Sequence, residues 1–431
     1  MSSDGPFLEV AASIGRRIVT DAVWHDGRCN WVGAAAALPG SAGVEYQALG
    51  PDLHGGTAGV GLFLAHLATT TGDGSFRSTA AGALRHATTR ARQLPVSRRD
   101  GFHAGTLGIA WAAATAARLL DEEELRSTAH VLAAEGRGLG RDRCPDVVTG
   151  MAGCVLGLIS LAEDLEDPRL AAEARATGDA IVRRATVTSH GWSWAIPGRR
   201  YQHHLCGASH GAGGIGWALL ELFAATGEQC FRDGATGAFA YERSWLDPGS
   251  GTWPDLRVGG QRRGVRQAID SGVTGTWCYG EAGIALTRLC AIAALGEGPH
   301  LGDADVALET TRTHLADALP YAIDDLALCH GASGAADVLV SAAAFSNRWR
   351  DGAEVATELG HIALERRGKA AEAWPRGVAD TTPGLFLGLS GIGWLFLRLH
   401  DRATPSPLAP TTALTPVSGG LSVRSIGVQF R

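Results

Sequence analysis

The chain has 431 residues, of which 45% are hydrophobic and 19% charged, a balance that argues against a disordered or fibrous protein. A formal net charge of −6 leaves no basic footprint, which argues against a nucleic-acid partner. No run of about 18 apolar residues occurs, and the first residues lack a basic start followed by an apolar signal core; a cytoplasmic protein without membrane insertion is expected. Eight scattered cysteines read as free thiols or metal ligands rather than a disulfide framework.

From the N-terminus, two kinds of segment alternate. "FLEVAASIGRRIVTDAV", from Phe7, spaces its apolar residues by three and four with charges between them, as an amphipathic helix does. "GTAGVGLFLAHLA", from Gly56, then opens with Gly-x-x-Gly and is apolar nearly all round, the pattern of a helix buried on every side. Amphipathic segments recur from Phe76, Glu122, Pro168, Phe231, Ala304 and Ala353. Between and after them come the glycine-headed segments, from Gly105, Gly150, Gly211, Gly280, Gly331 and Gly388. Seven glycine elements, roughly 45 to 70 residues apart, fall within the range of structural repeats.

Seven outer amphipathic helices alternating with seven inner apolar ones are best satisfied by an all-α fold, an α/α toroid in which the inner helices shelter one another. An open solenoid would need polar capping repeats, and neither end looks atypical. The glycines would let adjacent backbones approach and take loop dihedrals closed to other residues. All seven elements would lie at one end of the barrel, at the N-termini of the inner helices. The toroid is expected over residues 1–402, with a Pro/Ser/Thr-rich tail over 403–431 that starts out mobile and contains a short alternating stretch suited to an edge strand. The longest insertion starts at Asp247 and would form a lid or wall.

The residues just before each glycine element should converge on the axis. Cys278 and Cys329 both stand two residues before their glycines, in consecutive repeats, and His330 takes the next position. Two thiolates and an imidazole so placed would form a Cys₂His site for zinc with the fourth tetrahedral position open. The competing reading of any one of them is a small buried hydrophobe. Cys29, Cys144, Cys154, Cys230 and Cys290 lack such a partner and are assigned to packing, and Cys206 is a weak candidate for a fourth ligand. His210 and Tyr279 share the register of His330. A neutral histidine at a helix N-terminus suits proton transfer near neutral pH; its alternative role is to bond the rim loops together. Asp146, four residues before Gly150, reads equally as a partner orienting His210 or as a helix cap. Trp277 walls the site or packs, and His54 and His103 also reach the rim.

"SHGAGGIGWALLEL", "WCYGEAGIAL" and "LCHGASG", in this order and with the sevenfold glycine element, closely resemble the lanthionine synthetase C-like proteins, the cyclases of lanthipeptide biosynthesis. The likeness covers nearly the whole chain to about residue 400. It implies an α/α toroid around zinc, with Cys278, Cys329 and His330 at the metal-ligand positions, His210 at the acid/base histidine, and Asp146 and Tyr279 at active-site positions. Two departures stand out: Ala282 replaces a common proline, and Thr274 lies where an arginine often precedes the zinc cysteine. Either Arg262, Arg263 or Arg266 would substitute in space, or enolate stabilisation would differ. The absence of a preceding kinase-like or dehydratase segment resembles a stand-alone cyclase.

The expected activity is addition of peptide cysteine thiols to dehydroalanine or dehydrobutyrine. The partners would be a dehydrated precursor peptide and a dehydratase or other biosynthetic protein. Two alternatives come with it: a non-catalytic toroid that binds peptide or a thiol metabolite, and a zinc-dependent thiol-alkylating enzyme of the prenyltransferase type.

Overall fold

The computed structural model describes residues 5–35, 45–96, 99, 101–135, 144–199, 201–257, 275–369 and 382–410. Among them, fourteen α-helices form two concentric circles. The inner circle contains α2 (Thr57–Thr71), α4 (Thr106–Leu120), α6 (Met151–Asp164), α8 (Ala212–Thr226), α10 (Glu281–Leu295), α12 (Ala332–Phe345) and α14 (Leu389–His400). Each packs on the next, and α14 packs on α2, so the circle closes and the open solenoid is set aside. The first eleven residues of α8 and α14, and the first nine of α2, are all buried, as an apolar circumference demands.

The outer circle consists of α1 (Gly5–Thr20), α3 (Gly74–Arg90), α5 (Glu123–Glu135), α7 (Pro168–Arg183), α9 (Gln229–Arg243), α11 (Gly298–Ala322) and α13 (Arg350–Arg367). Each outer helix from α3 onward packs against the inner helix that precedes it, which leaves α1 to cover α14. The first and last of these helices are thus joined through Phe7, whose ring lies tilted to that of Phe396 with centroids 5.9 Å apart.

The glycine element has a steric origin. A β-carbon on the second glycine of each repeat (Gly59, Gly108, Gly153, Gly214, Gly283, Gly334 and Gly391) would lie 1.9–2.3 Å from the carbonyl oxygen six residues earlier. No side chain fits there. The first glycines at the helix caps have φ between −144° and −100°, which any residue can adopt, so space rather than the expected special dihedrals explains the motif.

The same tight turn aligns the residue two before each element, and these residues, with Ala104 and Val147 beside two of them, are joined by a closed circuit of backbone hydrogen bonds. His54 N–H donates to His103 O (2.9 Å), Ala104 to Val148 (3.2 Å), Val147 to Ser209 (3.0 Å) and Ser209 to Cys278 (3.1 Å). Cys278 donates to Cys329 (3.3 Å), Cys329 to Phe386 (3.0 Å) and Phe386 back to His54 (2.9 Å). The circuit fixes seven loops in register around one axis.

Three two-stranded antiparallel hairpins decorate this frame: β1 (Val23–His25) with β2 (Arg28–Asn30), β3 (Val32–Ala35) with β4 (Glu45–Ala48), and β5 (Thr186–Thr188) with β6 (Gly191–Ser193). The first turns at Asp26 and Gly27, which both have positive φ, as an Asp-Gly hairpin turn requires. The toroid's packing also extends past the expected boundary at residue 402. Leu408 is fully buried, the Arg398 guanidinium donates to Thr404 O, and Ser406 bonds Asp337. The alternating stretch expected to form an edge strand lies outside the described residues.

Gly283→Ala is expected to destabilise the fold by about 1–3 kcal/mol, because Trp277 O must move. Gly5→Ala, with nothing within 4 Å, should change stability by less than about 0.5 kcal/mol. Denaturant unfolding of the two variants checks this; equal effects would contradict the steric account.

Candidate active site

The rim loops of α6 and α8 bring His210 to Asp146. His210 Nδ1 bonds Asp146 Oδ2 at 2.6 Å, while Asp146 Oδ1 accepts the Thr149 N–H at 2.8 Å. Asp146 therefore orients the imidazole and also braces its own turn; the helix cap proper is Gly150, with no side-chain bond. Burial alone would raise the Asp146 pKa, but hydrogen bonds from His210, Thr149 and Cys144 outweigh it and hold the carboxyl below its usual value. The His210 ring stacks on Tyr279 at 5.6 Å. Burial pushes the Tyr279 phenol up to about 12, so it is a neutral donor.

One loop further round, Cys278 and Cys329 stand at equivalent positions, joined by the backbone circuit and by a hydrogen bond between their thiols. That bond draws the Cys278 thiol down to about 6, and the same bond together with burial pushes the Cys329 thiol well up. His330 Nδ1 bonds Asp325 Oδ2 at 3.2 Å, which raises the imidazole pKa. Metal-binding histidines use this arrangement, in which a carboxylate holds one nitrogen and the other is left for the ion. Among the described residues, no three His, Cys, Asp or Glu side chains already converge as a ligand group. The thiol pair is formed, while His330 is turned to Asp325. Two sulfurs and one imidazole, with that carboxylate behind it, are a donor set that suits zinc.

His103 is wholly buried against Phe102, Trp277 and Phe386, and His54 stacks on Phe386 at 4.8 Å. Burial lowers His103 to about 3 and His54 to about 4. His103 thus joins the rim circuit through its backbone while its ring is buried, and Trp277 packs, with its ring fully buried.

A family model for lanthionine synthetase C-like proteins matches residues 47–410. The chain belongs to the lanthionine synthetase C-like family. Among solved structures, nisin cyclase aligns over 84% of this chain and 91% of its own, with a TM-score of 0.58 and 16% identity. Nisin cyclase and this lanthionine synthetase C-like protein therefore share the toroidal fold. A family 76 glycoside hydrolase from a bovine Bacteroides thetaiotaomicron strain aligns over 93% of this chain and 78% of its own, at 11% identity and a TM-score of 0.45. The GH76A α-1,6-mannanase of Salegentibacter sp. HEL1_6 aligns over 73% and 88%, at 14% identity and 0.40. Both scores are too low to bear on function. No curated protein sequence matches.

Arg262, Arg263, Arg266 and Thr274 lie outside the described residues. Within them, this family member places a different arginine at the rim. The Arg257 guanidinium lies 3.7 Å from the Tyr279 ring centroid, gripped by Asp255 at 2.6–3.1 Å, and its charge favours the Cys278 thiolate. Nothing in the spacing of the motifs points to it, because it sits in the insertion. The beginning of that insertion forms a wall rather than a free lid: Trp253 is buried, and the Trp253 indole donates to Glu242 O at 2.9 Å.

Two cysteine assignments also change. Cys144, assigned to packing, donates its thiol to Asp146 Oδ2 at 3.2 Å, and Cys230 is exposed rather than packed. Among the described residues, no helix is long and apolar enough to cross a membrane.

Because the folded pKa of Asp146 is depressed, its stabilising contribution is complete above the unfolded carboxyl value of about 3.9 and is lost as pH falls through the folded value. The stability gap between the parent and Asp146→Asn should therefore narrow between pH 5 and pH 3 in urea unfolding. A gap unchanged across that interval would contradict the assignment.

Proposed function

We propose that this protein closes thioether rings in a dehydrated precursor peptide, adding a cysteine thiol to dehydroalanine or dehydrobutyrine to give lanthionine or methyllanthionine. The observation that carries the reading is one rim that holds a thiol pair beside His330 and, one loop away, an Asp146–His210 pair, in a chain of this family. The relative named nisin cyclase supports it through the shared fold.

Cys278, Cys329 and His330 are the residues that would hold zinc. When bound, the metal supplies the Lewis acidity that keeps an incoming peptide thiol deprotonated. The remaining chemistry belongs to the chain. As the carbon–sulfur bond forms at the β-carbon, the π electrons shift toward the α-carbon and its carbonyl. A proton must then reach the α-carbon. With Nδ1 held by Asp146, His210 has Nε2 to deliver it. Tyr279, kept protonated by burial, offers an O–H to the enolate oxygen, and Arg257 across its ring adds positive charge. The thiol hydrogen and the α-hydrogen balance, so ring closure leaves the peptide mass unchanged. This reading places the protein in the cytoplasm, downstream of a dehydratase.

The test is incubation with a dehydrated Ser/Thr/Cys-rich peptide, followed by thiol alkylation and mass spectrometry. Loss of alkylatable thiol without mass change is expected. His210→Ala should slow it by about 10²–10⁴-fold with zinc content unchanged, whereas Cys329→Ser should lower zinc and rate together. Thiols that stay alkylatable while the parent binds peptide would favour the non-catalytic toroid, and a mass gain with an isoprenoid diphosphate would favour prenyl transfer. A His210→Ala rate equal to the parent's would remove that residue from the mechanism.

A further inference from the structure

Glu242, near the C-terminal end of α9, is fully buried, and its carboxylate faces the loop that carries His210. Oε1 accepts the Gly207 N–H at 2.6 Å and the Gly213 N–H at 2.9 Å, so both ends of that loop close on one oxygen. Oε2 accepts Nη1 of Arg288, on α10, at 2.8 Å. Arg288, itself fully buried, bonds Asp303 of α11 at 3.0 Å, and Arg243 grips Asp303 through two bonds of 2.7 Å. The signs alternate along this chain of four side chains, so their charges cancel in pairs.

The loop is tied down on its other side as well. Ser209 donates both its N–H (3.1 Å) and its hydroxyl (2.8 Å) to Cys278 O. Gly207 adopts φ of +106°, and a β-carbon there would lie 2.9 Å from both Cys278 O and Tyr279 Cα. His210 therefore stands between two anchors, the Cys278 backbone and the Glu242 carboxylate. The backbone oxygen of Glu242 also receives the Trp253 indole, four residues before Arg257.

A buried ion pair retained for stability alone is often replaceable by apolar residues at little loss. Here the carboxylate also makes two charge-assisted bonds to the backbone that frames His210. We infer that Glu242 is a positioning residue: its carboxylate, balanced by Arg288, fixes the Gly207–Gly213 loop so that His210 meets Asp146 at a single place on the rim. Its consequence for rate rests on the cyclase reading; its consequence for geometry does not.

The experiment follows the Nδ1–H proton of His210 by NMR in the full chain labelled with ¹⁵N-histidine. A short bond to a carboxylate moves that proton far downfield, and its disappearance in His210→Ala identifies it. Glu242→Gln is expected to shift or abolish the resonance and to lower kcat for ring closure by about 10–100-fold with KM for the peptide unchanged. Asp337→Asn, which breaks the separate buried pair with Arg398, should leave the resonance in place. A folded Glu242→Gln protein with the parent resonance overturns the inference. Should Glu242→Gln fail to fold, Gly213→Ala decides, since its β-carbon would press on the Glu242 carboxylate; an unmoved resonance there overturns the inference equally. A moved resonance in a protein that closes no rings would support the positioning role and remove the cyclase reading, so the two failures are distinct.

Discussion

Each rim loop passes a backbone hydrogen bond to the next until the seventh returns to the first. One such bond contributes about 1 kcal/mol net, but an unpaired amide in a buried loop costs more than that, so closure leaves no loop free to slip. Most residues in this circuit stand two positions before the glycines, with Ala104 and Val147 each one residue off, and the side chains of the site belong to them or to their immediate neighbours. Cys278 and Cys329 sit in the circuit, and His210, Tyr279 and His330 lie one residue further on. A slip of one residue in any loop would exchange a thiol for its neighbour. The glycine contacts with the carbonyl six residues back enforce the register from below.

This constraint explains what could be read before any coordinates. The period of the glycine element and the alternation of wet and dry helices specify seven pairs, and a closed ring buries the inner helices while leaving the outer ones wet without the polar caps an open solenoid needs. Shared register pointed to Cys278, Cys329, His330, His210 and Tyr279, and in the structure the two thiols meet and His210 stacks on Tyr279. Asp146 had two readings in the sequence, and the structure gives it both an imidazole and a turn to hold.

What the sequence hid depends on contacts between repeats that carry no periodic mark. Arg257 lies in an insertion, where no register applies, and its position follows from Asp255 and the Tyr279 face. Cys144 was assigned to packing because it has no counterpart in register, whereas its partner, Asp146, lies two residues on in the same loop. Glu242 and Arg288 were invisible for a related reason: neither stands in the repeating register, and only the packing of neighbouring repeats brings α9, α10 and the His210 loop together. The orientation of His330 toward Asp325 is likewise a rotamer, which spacing cannot specify.

The proposed role of this register is to hold a metal between two sulfurs and one imidazole. Zinc K-edge absorption on purified protein tests it most directly. The account predicts about one zinc per chain with two sulfur and at least one nitrogen neighbour, gaining a third sulfur when a cysteine-bearing dehydrated peptide is added. Protein that closes rings without stoichiometric metal, or zinc surrounded only by nitrogen and oxygen, would contradict it.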